Sequence, residues 1–186
     1  MTRPIASNLS TRQRSLADAV SEIERHVSSG GWDGPIRVFA LIATQEALAA
    51  DPDLAQQLPA QTVEIALADP EHLTSVEQED LPAAESLEDL LGSIQWPVTV
   101  VGCAVVTERV ILPPSAEEEL PSDPTAALTY VNNHPDRQDV RMAVGVMRSG
   151  ETWCAIRTRD NDSDTDVAHG PNLVPGLIAA VTSTLE

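Results

Sequence analysis

The sequence predicts an α/β or α+β fold: a single mixed or antiparallel sheet of about five strands packed by helices, with a C-terminal hairpin followed by a helix. Three observations carry this expectation. Apolar residues recur at helical spacing near both ends of the chain, as Leu16, Val20, Ile23 and Val27 and again as Leu173, Leu177, Val181 and Leu185. The stretch 98–106 is apolar on both faces, as a central strand must be. Two strand-patterned runs, 140–148 and 151–159, flank Ser149-Gly150, which reads as a two-residue hairpin turn.

The first helix is expected over 10–29, with Ser10 and Gln13 at capping-box spacing and Gly30-Gly31 ending it. Trp32-Asp33-Gly34-Pro35 reads as a turn and 36–43 as a strand. Thr44 caps a short helix over 45–50, and Asp51-Pro52 opens a second one through Leu54 and Leu58. Val63, Ile65 and Leu67 alternate, which reads as a short strand over 62–67. The stretch 68–84 is acidic and proline-bearing and is expected to be an exposed loop. Ser86 caps a helix carrying Leu87, Leu90, Leu91 and Ile94.

The longest strand is expected over 97–112, with Glu108 and Arg109 where it leaves the core. A second acidic, proline-bearing loop, 113–122, precedes a helix over 124–132 capped by Asp123. A two-residue turn then sets the hairpin register: Arg148 faces Glu151, Val146 faces Trp153, Val144 faces Ala155 and Met142 faces Arg157. Gly145 stands opposite Cys154, and Ala143 beside Ile156. An acidic loop, 160–166, and a helix over 172–185 close the chain. Residues 1–186 are expected to form one domain, with 1–9 as a flexible end.

Composition narrows the chemistry. All 11 cationic residues are arginine, so no lysine Schiff base, P-loop lysine or lysine general base exists. The formal net charge of −18 opposes nucleic acid and anionic membranes alike, and leaves a basic partner or a cation. Cys103 and Cys154 lie in apolar runs without a CxxC pair or His/Cys cluster, so buried free thiols are expected rather than a zinc site. The N-terminus has no apolar signal segment and the longest apolar run is too short to span a bilayer, which places the expected protein in the cytoplasm.

Several stretches carry a resemblance. They are Gln95-Trp96-Pro97-Val98, residues 102–109, Leu112-Pro113-Pro114, Glu119-Leu120-Pro121, residues 140–150 and residues 169–177. Through them the chain resembles a family of uncharacterised conserved actinobacterial proteins, from the first helix to the C-terminus. The resemblance implies a bacterial cytosolic setting and supplies no catalytic residue.

The candidate site residues are those of the hairpin and its surroundings: Arg141, Arg148, Arg157 and Arg159, with Glu108 and Asp160. Arg157 and Arg159 share a strand face by their spacing of two, and such a pair could fork a carboxylate or phosphate. The adjacent loop, Asp160-Asn161-Asp162-Ser163-Asp164-Thr165-Asp166, offers them internal partners instead. As a calcium loop it fails, because the positions that need glycine and a chelating glutamate hold Thr165 and Pro171.

No G-x-S-x-G elbow or H-E-x-x-H helix is present, and His26, His72, His134 and His169 are scattered. No catalytic residue, cofactor or metal ligand is therefore expected. The expected function is a non-enzymatic cytosolic protein–protein interaction module, adaptor or chaperone-like, that binds another protein or forms a homodimer. The alternative is a small-molecule or anion-binding protein, or an enzyme, using the hairpin arginines with nearby carboxylates.

Overall fold

The computed structural model describes residues 8–186, so the reading of 1–9 as a flexible end falls almost wholly outside the described residues. Six strands form one antiparallel sheet: β1 (Arg37–Ala43), β2 (Leu73–Glu77), β3 (Val100–Ile111), β4 (Gln138–Met147), β5 (Thr152–Thr158) and β6 (Ala168–Gly170). Their order across the sheet is β2-β1-β3-β4-β5-β6. Residues 100–106 of the apolar run read as a central strand lie in β3, which pairs with β1 on one side and β4 on the other; Val98 and Thr99 precede the strand, with Val98 91% exposed.

Each face of the sheet carries its own core. On one, α1 (Thr11–Ser28) lays Leu16, Val20, Ile23 and Val27 against Phe39, Ala104, Ala143 and Trp153. Ser10 caps this helix as expected, accepting from the Gln13 N–H at 3.1 Å, while the Gln13 side chain reaches the Thr152 carbonyl at 2.8 Å. The other face is covered by α4 (Leu87–Gly92) and α7 (Pro175–Ser183), whose Leu90, Leu177 and Val181 pack on Val105, Val144 and Cys154. Gly145 faces α1, and a Cβ there would stand 2.4 Å from a Val20 methyl. Helix and sheet approach that closely only because the side chain is absent.

Four further helices fill the connections: α2 (Thr44–Ala50), α3 (Ala60–Ala68), α5 (Pro114–Glu117) and α6 (Pro124–Asn133). The expected strand over 62–67 is therefore helical. The alternation of Val63, Ile65 and Leu67 misleads, because Ala66 is the buried residue while Ile65 and Leu67 face solvent. A short apolar run does not distinguish strand from helix. The stretch 68–84, expected as loop throughout, supplies β2, held by pairing with β1 and by the burial of Leu73 under α1. The loop over 113–122 holds the single turn α5. Thr44 does not cap α2; its hydroxyl meets His72 and Thr74 at 2.8 and 2.7 Å.

The hairpin register departs from expectation by one residue. Its loop has three residues, Arg148-Ser149-Gly150, closed by Met147 N–H donating to the Glu151 carbonyl at 2.9 Å. Gly150 takes φ 105°, the conformation such a loop requires of a glycine. Met142 consequently pairs with Ile156, Gly145 with Trp153, and Arg141 with Arg157. The slip brings two arginines expected on different rungs directly opposite one another.

Candidate functional site

Register alone builds the centre of the site. Glu108 on β3, Arg141 on β4 and Arg157 on β5 are successive cross-strand neighbours on the α1 face. Two like charges directly opposite repel, and the structure separates them by giving each its own carboxylates. Arg157 forks Glu24 of α1, with Nε donating to Oε1 at 2.6 Å and Nη2 to Oε2 at 2.9 Å. Its remaining capacity goes to Asp162 at 3.1 Å and Asp164 at 2.6 Å. Glu24 and Arg157 are both 3% exposed at the side chain, so the pair is withdrawn from water.

Arg141 is fully buried. Its Nη2 donates to the Gly31 carbonyl and to Glu108 Oε1, and its guanidinium stacks 4.3 Å from the centre of the Trp32 ring. Trp32 in turn donates its indole N–H to Asp162 at 2.9 Å. Asp33, at φ 65°, donates its backbone N–H to Glu108 Oε2 at 2.7 Å. Its carboxylate receives both Arg159 Nη groups at 3.0 Å. The turn after α1 and the acidic loop are thus clamped to one end of the sheet by three arginines.

The electrostatics favour a clamp over a reactive centre. Hydrogen bonding to Glu24 raises Arg157 above its already high ordinary value, against the effect of burial. The Trp32 N–H, and then Arg157, hold Asp162 below the usual carboxylate range; Arg159 does the same for Asp33. A general acid needs the opposite shift. Burial lowers His169 and pushes the Cys103 thiol up to about 11, leaving it an inert packing group. Around Arg141, Arg157 and Arg159 stand six carboxylates: Glu24, Asp33, Glu108, Asp139, Asp162 and Asp164. Such a cluster has no net positive charge to offer a phosphate.

Of the residues singled out in sequence, the structure gathers Arg141, Arg157, Arg159 and Glu108. Arg148 lies at the opposite end of the sheet, donating to the carbonyls of Val100, Trp96 and Leu185 and tying the end of α7 to β3. Asp160 lines a separate depression beside Ile111 and Arg137, and Asp162 and Asp164 meet Arg157 instead. Among the described residues no group of three His, Cys, Asp or Glu is placed to hold a metal ion. Glu24, Trp32 and Asp33 were not foreseen. Glu24 did carry a signal: it falls four residues after Val20, within the apolar stripe of α1, where a charge must find a buried partner.

A second feature lies on the other face. Beyond α4 no helix among the described residues lies on the sheet surface over β1 and β2, where a depression of about 720 Å³ is floored by Ala40, Ile42 and Val76 and walled by Ile94 and Trp96. Glu79 and Asp80 stand at its rim. Val76 is 41% exposed and Val98, beside Trp96, is 91% exposed. The depression adjoins the edge of the sheet. Gln78 N–H donates to Val38 O, and His72 O accepts from Thr44, so the even-numbered residues of β2 turn their backbone towards β1. Leu73, Ser75 and Glu77 turn theirs outward, where no strand among the described residues pairs with them.

Compared with known proteins, residues 16–186 match a family described as PPA1309-like protein. No curated protein matches the chain, and no solved structure does. Among the described residues no helix is long and apolar enough to cross a membrane.

Proposed function

The chain belongs to the PPA1309-like protein family, and from that premise we propose that it is a non-enzymatic protein–protein interaction module, adaptor or chaperone-like. The observation that carries the reading is the uncovered apolar floor over β1 and β2, continuous with the open edge of β2. An extended segment added there would gain backbone hydrogen bonds from Leu73, Ser75 and Glu77 and seat alternate side chains in the depression.

Charge selects the partner. Glu79 and Asp80 at the rim and a formal charge of −18 favour a basic, partly apolar protein segment over nucleic acid or an anionic membrane. A second copy of this chain is the weaker candidate, because a β2-to-β2 homodimer would bring two acidic rims together. The setting that fits is the cytoplasm of a bacterium, and the arginine-only composition suits an actinobacterial source.

A photocrosslinking residue placed at Val76 tests the reading in the native host. A stoichiometric adduct with a basic protein, lost on adding Ile42→Arg and retained with Leu128→Arg on α6, is the expected result. Crosslinks to a second copy alone would replace the reading with a homodimer. A blank at Val76 beside a working control site would overturn it.

A further inference from the structure

α1 is tied to the edge strand β2 near both of its ends. In its first turn Arg12 Nε donates to Glu71 Oε2 at 3.0 Å, just before β2 begins. In its last turn His26 Nε2 accepts from Arg37 Nη2 at 3.4 Å, and Arg37 forks Glu77 at 2.5 and 2.7 Å. The helix therefore runs alongside β2 and in the same direction. Ser15 and Ala19 are buried on α1, and Leu73 of β2 belongs to the same core as Ala19. Asp18 and Glu22 follow Ser15 and Ala19 by three residues, which turns them about 60° outward on this flank, away from Glu24 and β5.

Both carboxylates are exposed, and neither has an ion-pair partner among the described residues. Partial burial raises the Asp18 carboxyl above the usual range; Arg14 opposes the rise and Asp69 adds to it. Glu71 and Glu77 are already held by Arg12 and Arg37. What the flank lacks is positive charge opposite Asp18, Glu22 and Asp69.

The backbone edge beside it is open at Leu73, Ser75 and Glu77. Side chains alternate along β2: Leu73, Ser75 and Glu77 share the α1 face, while Val76 lies in the groove on the other. A strand added to β2 inherits this alternation, so its residues opposite Ser75 and Glu77 point to the α1 flank and the one opposite Val76 points to the groove. Alternate residues of a strand stand about 6.6 Å apart and residues four apart in a helix about 6 Å. Two such strand residues can therefore come level with Asp18 and Glu22 together.

We propose that the edge of β2 selects a partner segment of pattern basic–apolar–basic, whose two cationic side chains meet Asp18 and Glu22 while the apolar one between them lies against Val76. The inference rests on the interaction reading above and adds the sequence that this edge recognises. The probe is a short labelled peptide of alternating arginine and valine, compared with a permutation that gathers the arginines at one end. Both are titrated into the full chain by fluorescence anisotropy at constant ionic strength. The alternating peptide should bind at least about tenfold more tightly, and should slow hydrogen exchange at the Leu73, Ser75 and Glu77 amides. Asp18→Asn with Glu22→Gln, at exposed helix positions, should weaken it about tenfold.

Equal affinity of the two peptides, unchanged binding in the double variant, or no saturable binding to the wild type overturns the pattern. The crosslink at Val76 does not depend on Asp18 or Glu22. An adduct there beside any of these failures leaves the interaction reading standing without the pattern, and a blank there removes both.

Discussion

The two faces of the sheet are closed by different means. The α1 face is covered by one helix of 18 residues and holds the three charged side chains buried among the described residues, Glu24, Arg141 and Arg157. The opposite face is covered by two shorter helices, holds an apolar core, and stays open over β1 and β2. Apolar burial drives both, but it is non-directional. The forked pair from Glu24 to Arg157 adds direction on one side only: it fixes the rotation of α1 and holds the loop that follows β5 against the sheet. The face without such a forked ion pair is the one that leaves apolar surface uncovered.

The contrast can be broken first at Glu24. Glu24→Ala leaves Arg157 buried with only its half-exposed loop partners, and should cost about 3 kcal/mol in urea unfolding. The double variant Glu24→Leu with Arg157→Met should recover most of that loss, because the desolvation of both charges disappears with them. A single-variant loss below about 1 kcal/mol would mean that burial alone holds α1.

Gly145→Ala comes next. Its methyl would meet Val20 and Leu16 at 2.4 and 3.0 Å, both fully buried, for an expected loss of about 1–3 kcal/mol by overpacking.

Asp162→Asn should cost less, about 0.2–1 kcal/mol at neutral pH, because that carboxylate is 45% exposed. Its value lies in the pH profile. Asp162 and Asp33 are held below their unfolded values, so their contribution is complete above roughly pH 4 and is lost as the pH falls through the folded values. The urea midpoint of the wild type should drop on acidification from pH 6 to 3, and less steeply in Asp162→Asn.

Smallest of all, Val76→Arg on the open face should stay within about 0.5 kcal/mol of wild type while abolishing partner capture. A large stability loss there would show that the groove floor is core.

Long periodic elements were legible before the structure. α1 and β3 follow from a stripe and a run whose burial largely matches the pattern, whereas α7 covers only Pro175–Ser183 of the expected 172–185, with Leu173 outside it and 41% exposed; Ser10, Ser86 and Asp123 cap helices where their side chains imply. The sixth strand and β2 were not legible, since three to five residues carry little pattern and gain their order from a neighbouring strand. The arginines were visible as a set, but their pairing depended on a loop of three residues rather than two. That single residue decides which of them stand opposite. The open groove could not be read at all, because it is defined by where helices stop.

The strand order also sets a folding sequence. Every neighbouring pair in the sheet is consecutive in the chain except β1 with β3. β3 to β6 can therefore zip up as a meander of local contacts, whereas α1, β1 and β2 must dock across that one seam. Loop closure between distant segments is the slower event. In pulsed hydrogen exchange, amides of β4 and β5 should gain protection before those of β1, and severing the chain within residues 78–86 should yield two fragments that reassemble at the seam.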